Sequence, residues 1–140
     1  MPDLMRLIDD HHAMDALADE LLALARPSPD AARCRALMTS LAGLLTTHLA
    51  REAAFLRHKP DSAQADFLQA LTALIQAFGL LTEDWHAYLE RWSDASRIAA
   101  DRARYAGETA DILTALKLRI AHENDVVYPL ALDAGRIALV

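Results

Sequence analysis

The chain has one cysteine, four glycines and five prolines among its 140 residues, and each scarcity removes a class of protein. A lone cysteine, Cys34, excludes an internal disulfide and any paired-cysteine zinc site. So few glycines and prolines leave too few turn signals for a sandwich or barrel of short strands. Positive charge is thin as well: Lys and Arg number 14 against 20 Asp and Glu, giving a net charge of −6. No basic run exceeds Arg33-Cys34-Arg35, so counterion release on a nucleic acid or an anionic membrane has no source, and neither is expected as a partner. The longest uncharged stretch, Phe67 to Thr82, is interrupted by polar residues and is shorter than the roughly 20 residues a membrane helix needs. Met1-Pro2-Asp3-Leu4-Met5-Arg6 lacks the basic-then-apolar order of a secretory leader, and a cytoplasmic location is the expectation. There is no glycine-rich phosphate loop and no nucleophile-base-acid set. Hydrolase and nucleotide-binding functions therefore lack support, and nothing demands turnover of an organic substrate.

What is present is helix-forming and apolar: 54% of the residues are hydrophobic and 24% charged. A chain of this length suits a single domain, 1–140, around one core, since division is usual only beyond about 250 residues. Prolines at 2, 27, 29, 60 and 129 mark expected helix boundaries, because proline removes an N–H donor and clashes with the preceding turn. Ser93-Asp94-Ala95-Ser96 supplies side chains that can cap a further helix start. Four helices follow, roughly Asp3 to Leu24, Asp30 to Arg57, Ser62 to Trp92 and Ser96 to Tyr128, with 129–140 as a C-terminal tail. Short connections between long helices make antiparallel neighbours, so the expected fold is an all-α, up-down-up-down four-helix bundle. The tail, with Leu130-Ala131-Leu132 and Ile137-Ala138-Leu139-Val140, is too apolar to stay in water. It is expected to dock on the outer helix surfaces or on a second copy, making a homodimer.

Residues at alternating steps of three and four share one helical face. In the first helix this stripe reads Leu4, Leu7, His11, Met14, Ala18 and Leu21; in the second, Cys34, Leu37, Leu41, Leu44, His48, Glu52 and Phe55. The third runs Phe67, Leu71, Leu74, Phe78, Leu81, Trp85, Tyr88 and Trp92 without an ionisable ligand. The fourth runs Tyr105, Thr109, Ile112, Leu116, Arg119, Glu123 and Val126, turning from apolar to charged. In an antiparallel bundle His11, His48, Glu52, Arg119 and Glu123 can meet near one end. His48 and Glu52, four apart on one face, form the arrangement by which a single helix offers two ligands to an iron or manganese centre. His12 lies about 100 degrees round from His11 and is expected on the flank, and His58 before Lys59-Pro60 suits a helix C-terminus.

Three segments resemble the hemerythrin-like, or HHE cation-binding, bundles. Leu7-Ile8-Asp9-Asp10-His11 is similar to the first-helix signature of that family, Leu45-Thr46-Thr47-His48-Leu49-Ala50-Arg51-Glu52 to its second-helix histidine and glutamate, and Arg119 to Pro129 to its last helix, which closes in an aromatic-Pro. The resemblance spans nearly the whole chain. It implies a non-haem iron centre, di-iron in intact members, with His and carboxylate ligands, serving dioxygen binding, iron storage or sensing, or redox chemistry. His11, His48 and Glu52 would be ligands, with Glu123 completing or bridging the site.

The departures are equally specific. Where the family alignment asks for a histidine four residues before Glu123 the chain has Arg119, and a guanidinium cannot ligate metal. The third helix offers only His86, one step off the apolar stripe. A second alignment would use His122 and Glu123 as adjacent ligands. Three outcomes stay open: a di-iron site, a partial or mononuclear site, and a metal-free core in which Arg119 replaces the metal by pairing with Glu52 and Glu123. The metal-free bundle would work as a protein-interaction or regulatory module with a partner yet unknown; the metal-bound one would meet a small ligand such as dioxygen.

Overall fold

A computed structural model of the chain describes residues 3–26, 30–56, 65–135 and 137–139. The helices are α1 (Leu4–Leu24), α2 (Ala31–Leu56), α3 (Ala65–Phe78), α4 (Leu81–Arg91), α5 (Ala95–Ala100), α6 (Arg102–His122) and α7 (Tyr128–Asp133), with a π-helical turn, Glu123–Val127, joining the last two. His58, the side chain of Phe55 and the ends expected at Arg57 and Ser62 lie outside the described residues. Carboxylates start three of the helices. Asp3 accepts from the Met5 N–H at 2.9 Å, Asp30 from the Arg33 N–H at 3.1 Å and Asp94 from the Ser96 N–H at 2.9 Å, each satisfying a donor that the first turn leaves free.

Ion pairs and ring contacts fix the directions. Along α1 and α2, His11 meets His48 while Glu20 meets Arg33, so these helices run antiparallel. α1 and α6 do the same, with His11 beside Asn124 and Asp19 beside Lys117. α4 and α6 pair Tyr88 with Thr109 and Trp92 with Glu108. Across the diagonal, Met38 meets Tyr105 and Glu52 meets Arg119, both numbers rising together, so α2 and α6 run parallel. This is the up-down-up-down bundle expected from the sequence.

Two expected helices are interrupted. The third breaks at Gly79-Leu80, where the Gly79 N–H bonds the Ile75 carbonyl at 2.8 Å and a Cβ on Gly79 would collide with that same carbonyl. The heptad survives the kink, since Phe67, Leu71, Leu74, Leu81, Trp85, Tyr88 and Trp92 are buried and Phe78, next to the break, is half-buried. Ala65–Arg91 together is long and apolar enough to cross a membrane by length and composition, and its buried face packs inside the bundle. The fourth helix breaks at Asp101, where φ −138° and ψ 64° leave the helical region, and widens again at Glu123–Val127.

That π turn explains why Pro129 does not end the helix. In a regular α-helix the Pro129 ring would press on the Asp125 carbonyl and leave it without a donor. Opening the turn relieves the clash, a known response to inserted strain: the Tyr128 N–H bonds the Glu123 carbonyl five residues back, and helix continues to Asp133. The residues beyond Pro129 therefore begin as α7. Ala131 and Ile137 are buried, and the Leu4 N–H donates to the Ala138 carbonyl at 2.6 Å, which lays the tail on the start of α1.

The core has two apolar parts. One gathers Met14, Leu21, Cys34, Leu41, Leu45, Trp85, Tyr105, Leu116 and Ile120; the other gathers Leu7, Phe67, Leu71, Leu74, Val127, Tyr128, Ala131 and Ile137. Between them, on α1, α2 and the start of the π turn, lies a layer of buried polar side chains.

Candidate metal centre

The layer is built by ordinary helical spacing on α1 and α2 and by irregular spacing after α6. On α1, His11 stands between Leu7 and Met14 on the buried stripe; on α2, His48 and Glu52 follow Leu45. Glu123 opens the π turn. Burial is near complete for His11, His48, Glu52 and Glu123, and one ligand atom from each lies within 4.8 Å of all the others. The Nε2 atoms of His11 and His48 are 3.0 Å apart. Glu52 Oε1 is 2.7 Å from His48 Nε2, and Glu123 Oε1 is 3.1 Å from His11 Nε2.

Both imidazoles are held from behind. His48 Nδ1 donates to Asp10 Oδ2 at 3.0 Å, and Asp10 also accepts from Arg51. His11 Nδ1 donates to Asn124 Oδ1 at 2.6 Å. Because each Nδ1 faces an acceptor oxygen, each carries a proton there, and in the neutral rings both Nε2 lone pairs point into the layer. Such outer partners orient histidine ligands at metal sites generally.

The electrostatics ask for positive charge. Burial opposes a charged His48, but Glu123, Glu52 and Asp10 outweigh it and lift its pKa to about 10. Burial, and then the Glu123 carboxylate beside it, raises Glu52. Burial also works against the Glu123 anion, yet Glu52, His11, His48 and the Arg119 guanidinium together hold Glu123 well below the ordinary carboxylate range. Arg119, its side chain 12% exposed, donates to Glu52 Oε2 at 3.3 Å and lies 3.8 Å from Glu123 Oε2. Its charge thus sits on the oxygens that do not face the histidines. Glu123 Oε2 is buried without a hydrogen-bond partner among the described residues.

These atoms fit a bound cation. Neighbouring ligands of a six-coordinate ion with bonds of about 2.1 Å are roughly 3.0 Å apart, the spacing of the two Nε2 atoms. Two imidazoles and two carboxylates, with the Glu123 oxygen left over, make a nitrogen-and-oxygen donor set of the kind that binds divalent first-row metals.

Tyr128 also belongs to the layer. Its hydroxyl donates to Glu52 Oε1 at 2.7 Å and stands 3.1 Å from His11 Nε2 and 3.2 Å from His48 Nε2. Burial, reinforced by the Glu52 and Glu123 charges, pushes its phenol far up and keeps it a donor. The sequence reading missed it because the fourth stripe put Val126 inward. In the structure Val126 is 37% exposed while Val127 and Tyr128 are buried. Five residues advance an α-helix about 140 degrees past a full turn, which would separate Glu123 from Tyr128; the wide turn brings them to one side. The signal was present as Tyr128-Pro129, a proline inside a helical pattern.

Two histidines stand apart from the cluster. His122, weighed as an adjacent ligand with Glu123, turns toward α3, its ring centroid 6.4 Å from that of Phe78, since consecutive helical residues diverge by about 100 degrees. His86 is exposed on α4, off the buried face set by Trp85 and Tyr88. His12 is exposed as expected.

No curated protein and no solved structure matches the chain significantly. The sequence profile of the hemerythrin HHE cation-binding domain matches residues 3–131, from the cap of α1 into α7, and so takes in every residue of the cluster. The chain belongs to the hemerythrin HHE cation-binding domain family.

Proposed function

We propose that the chain holds a single iron ion between His11, His48, Glu52 and Glu123 and serves oxygen, iron or redox sensing or handling. The observation that carries this reading is the pair of Nε2 atoms 3.0 Å apart, each with its Nδ1 committed to an acceptor. Two lone pairs face to face repel unless a proton or a cation lies between them. Two buried carboxylates beside them face one guanidinium, so the layer calls for a further positive charge, which the His48 proton supplies in the metal-free chain and a cation would supply in its place. Imidazole with carboxylate and no thiolate suits iron, and the family supports that choice.

One ion is favoured over two by Arg119. It occupies the position where family members supply a further histidine, and it hydrogen-bonds Glu52 Oε2 and sets its charge 3.8 Å from Glu123 Oε2, the side of the carboxylates that a second ion would need. The four cluster side chains are almost wholly shut off from water, so the layer has the character of a sensing or holding site more than of an open substrate pocket.

Elemental analysis of protein purified without chelator, with absorption spectra in air and after reduction, tests the reading. Iron near one per chain that is lost in His48→Ala bears it out. A second reading, a metal-free bundle acting through protein contacts, draws on the same Arg119 pairing with both carboxylates. Protein that carries no metal, takes none up and melts unchanged with added iron would establish that second reading.

A further inference from the structure

We propose that Tyr128 supplies a fifth ligand atom, so that the centre takes iron in the ferric state as an iron-phenolate complex. This rests on the metal reading above and adds to it a ligand and an oxidation state. The hydroxyl oxygen and the two imidazole Nε2 atoms form a triangle with edges of 3.0, 3.1 and 3.2 Å. Three atoms so spaced make one face of an octahedron with bonds of about 2.1 Å. Besides its bond to Glu52, the phenol oxygen lies at nearly equal range from both nitrogens, the placement a shared ion would impose.

The backbone is shaped for this placement. Only the π turn puts Glu123 and Tyr128 on the same side of the chain, and such turns cluster at functional sites. The phenol is buried beside His11, His48 and Glu52, and its ring stacks on His11 with centroids 5.2 Å apart.

Charge makes the ferric ion acceptable. With Glu52, Glu123 and Arg119 ionised, a divalent ion beside a neutral phenol and a trivalent ion beside a phenolate give the buried layer the same total. Binding of the trivalent ion releases the phenol proton to solvent, as metal binding does with other protic ligands. A hard phenolate oxygen prefers the trivalent ion. The other tyrosines cannot substitute: the Tyr88 hydroxyl pairs with Thr109 at 2.7 Å and Tyr105 with Met38 at 3.3 Å, both in the opposite part of the core.

The test is to load wild type and Tyr128→Phe with ferric nitrilotriacetate, desalt, measure iron and record visible absorption and resonance Raman spectra. Wild type should show a phenolate-to-iron charge-transfer band with tyrosinate ring vibrations, and Tyr128→Phe should retain iron without either. Iron-loaded wild type lacking the tyrosinate vibrations would overturn the assignment while leaving the metal centre standing. So would a band of equal strength in Tyr128→Phe. Wild type that takes up no more iron than His48→Ala would overturn the metal centre and this assignment together. The wild-type Raman spectrum decides even if Tyr128→Phe does not fold.

Discussion

Arg119 holds Glu52 by its outer oxygen, Oε2, at 3.3 Å, while Oε1 of the same carboxylate faces His48 at 2.7 Å. The guanidinium and the histidine side thus share one carboxylate without competing for an atom. Removing one partner of a buried pair costs about 3–5 kcal/mol. Arg119→Leu should therefore lower the stability of the chelator-treated protein by an amount near that range, and less once a cation fills the layer. Thermal melts with and without metal check this; equal losses in both would show that Arg119 and the ion do not share the carboxylates. Arg119→His, which restores a ligand type at the family position, should raise bound metal per chain.

His48→Ala should lower metal content and melting temperature together, because an ion that binds only the folded chain adds its binding free energy to stability. Melting of wild type should rise with added iron and that of the variant should not. A variant that keeps the parent's metal content would remove His48 from the ligand set.

The metal-free protein should lose stability as pH rises from neutral. The His48 pKa in the folded chain is about 10 against an ordinary 6.5, so the folded state binds the proton more tightly. The resulting stabilisation is complete below about 6.5 and fades as pH climbs through 10. Melting temperature of chelated protein, followed from pH 6 to 10, should fall, and His48→Gln should flatten the slope. Metal affinity should rise over the same interval, since the ion must displace that proton. A chelated protein whose melting temperature holds level or climbs from pH 7 to 10 would refute the assignment.

Truncation after Leu132 should destabilise the chain. It removes the buried Ile137 and the hydrogen bond from the Leu4 N–H to the Ala138 carbonyl. Burying one isoleucine is worth about 1.5–3 kcal/mol, and a loss of that size is expected in denaturant melts. Unchanged melting would show that the tail adds nothing to the fold.

The bundle and three members of its polar layer were legible in the sequence because α1 and α2 are regular. There the 3.6-residue period carries His11, His48 and Glu52 inward with the leucines. Glu123 was legible because α6 stays regular up to it. Past that point the period changes, and a stripe drawn at constant pitch chose Val126 over Tyr128. The kink at Gly79 is hidden for a different reason: prolines and the capping side chains of Ser93 to Ser96 mark helix ends plainly, whereas a glycine within a strong heptad gives a weaker signal. The orienting groups were hidden by topology. Asp10 is next to His11 in the chain yet holds His48, and Asn124 is next to Glu123 yet holds His11. Periodicity along one helix says nothing of such crosswise pairing.

Enclosure of the polar layer between two apolar parts of the core also sets a clock. With each cluster residue almost wholly shut off from water, an ion can arrive or depart only when part of the bundle swings open, and such openings are rare, cooperative excursions from the native state. Residence time is then governed by how often the helices around the layer part, and a chelator in the surrounding solution, however strong, waits on that event.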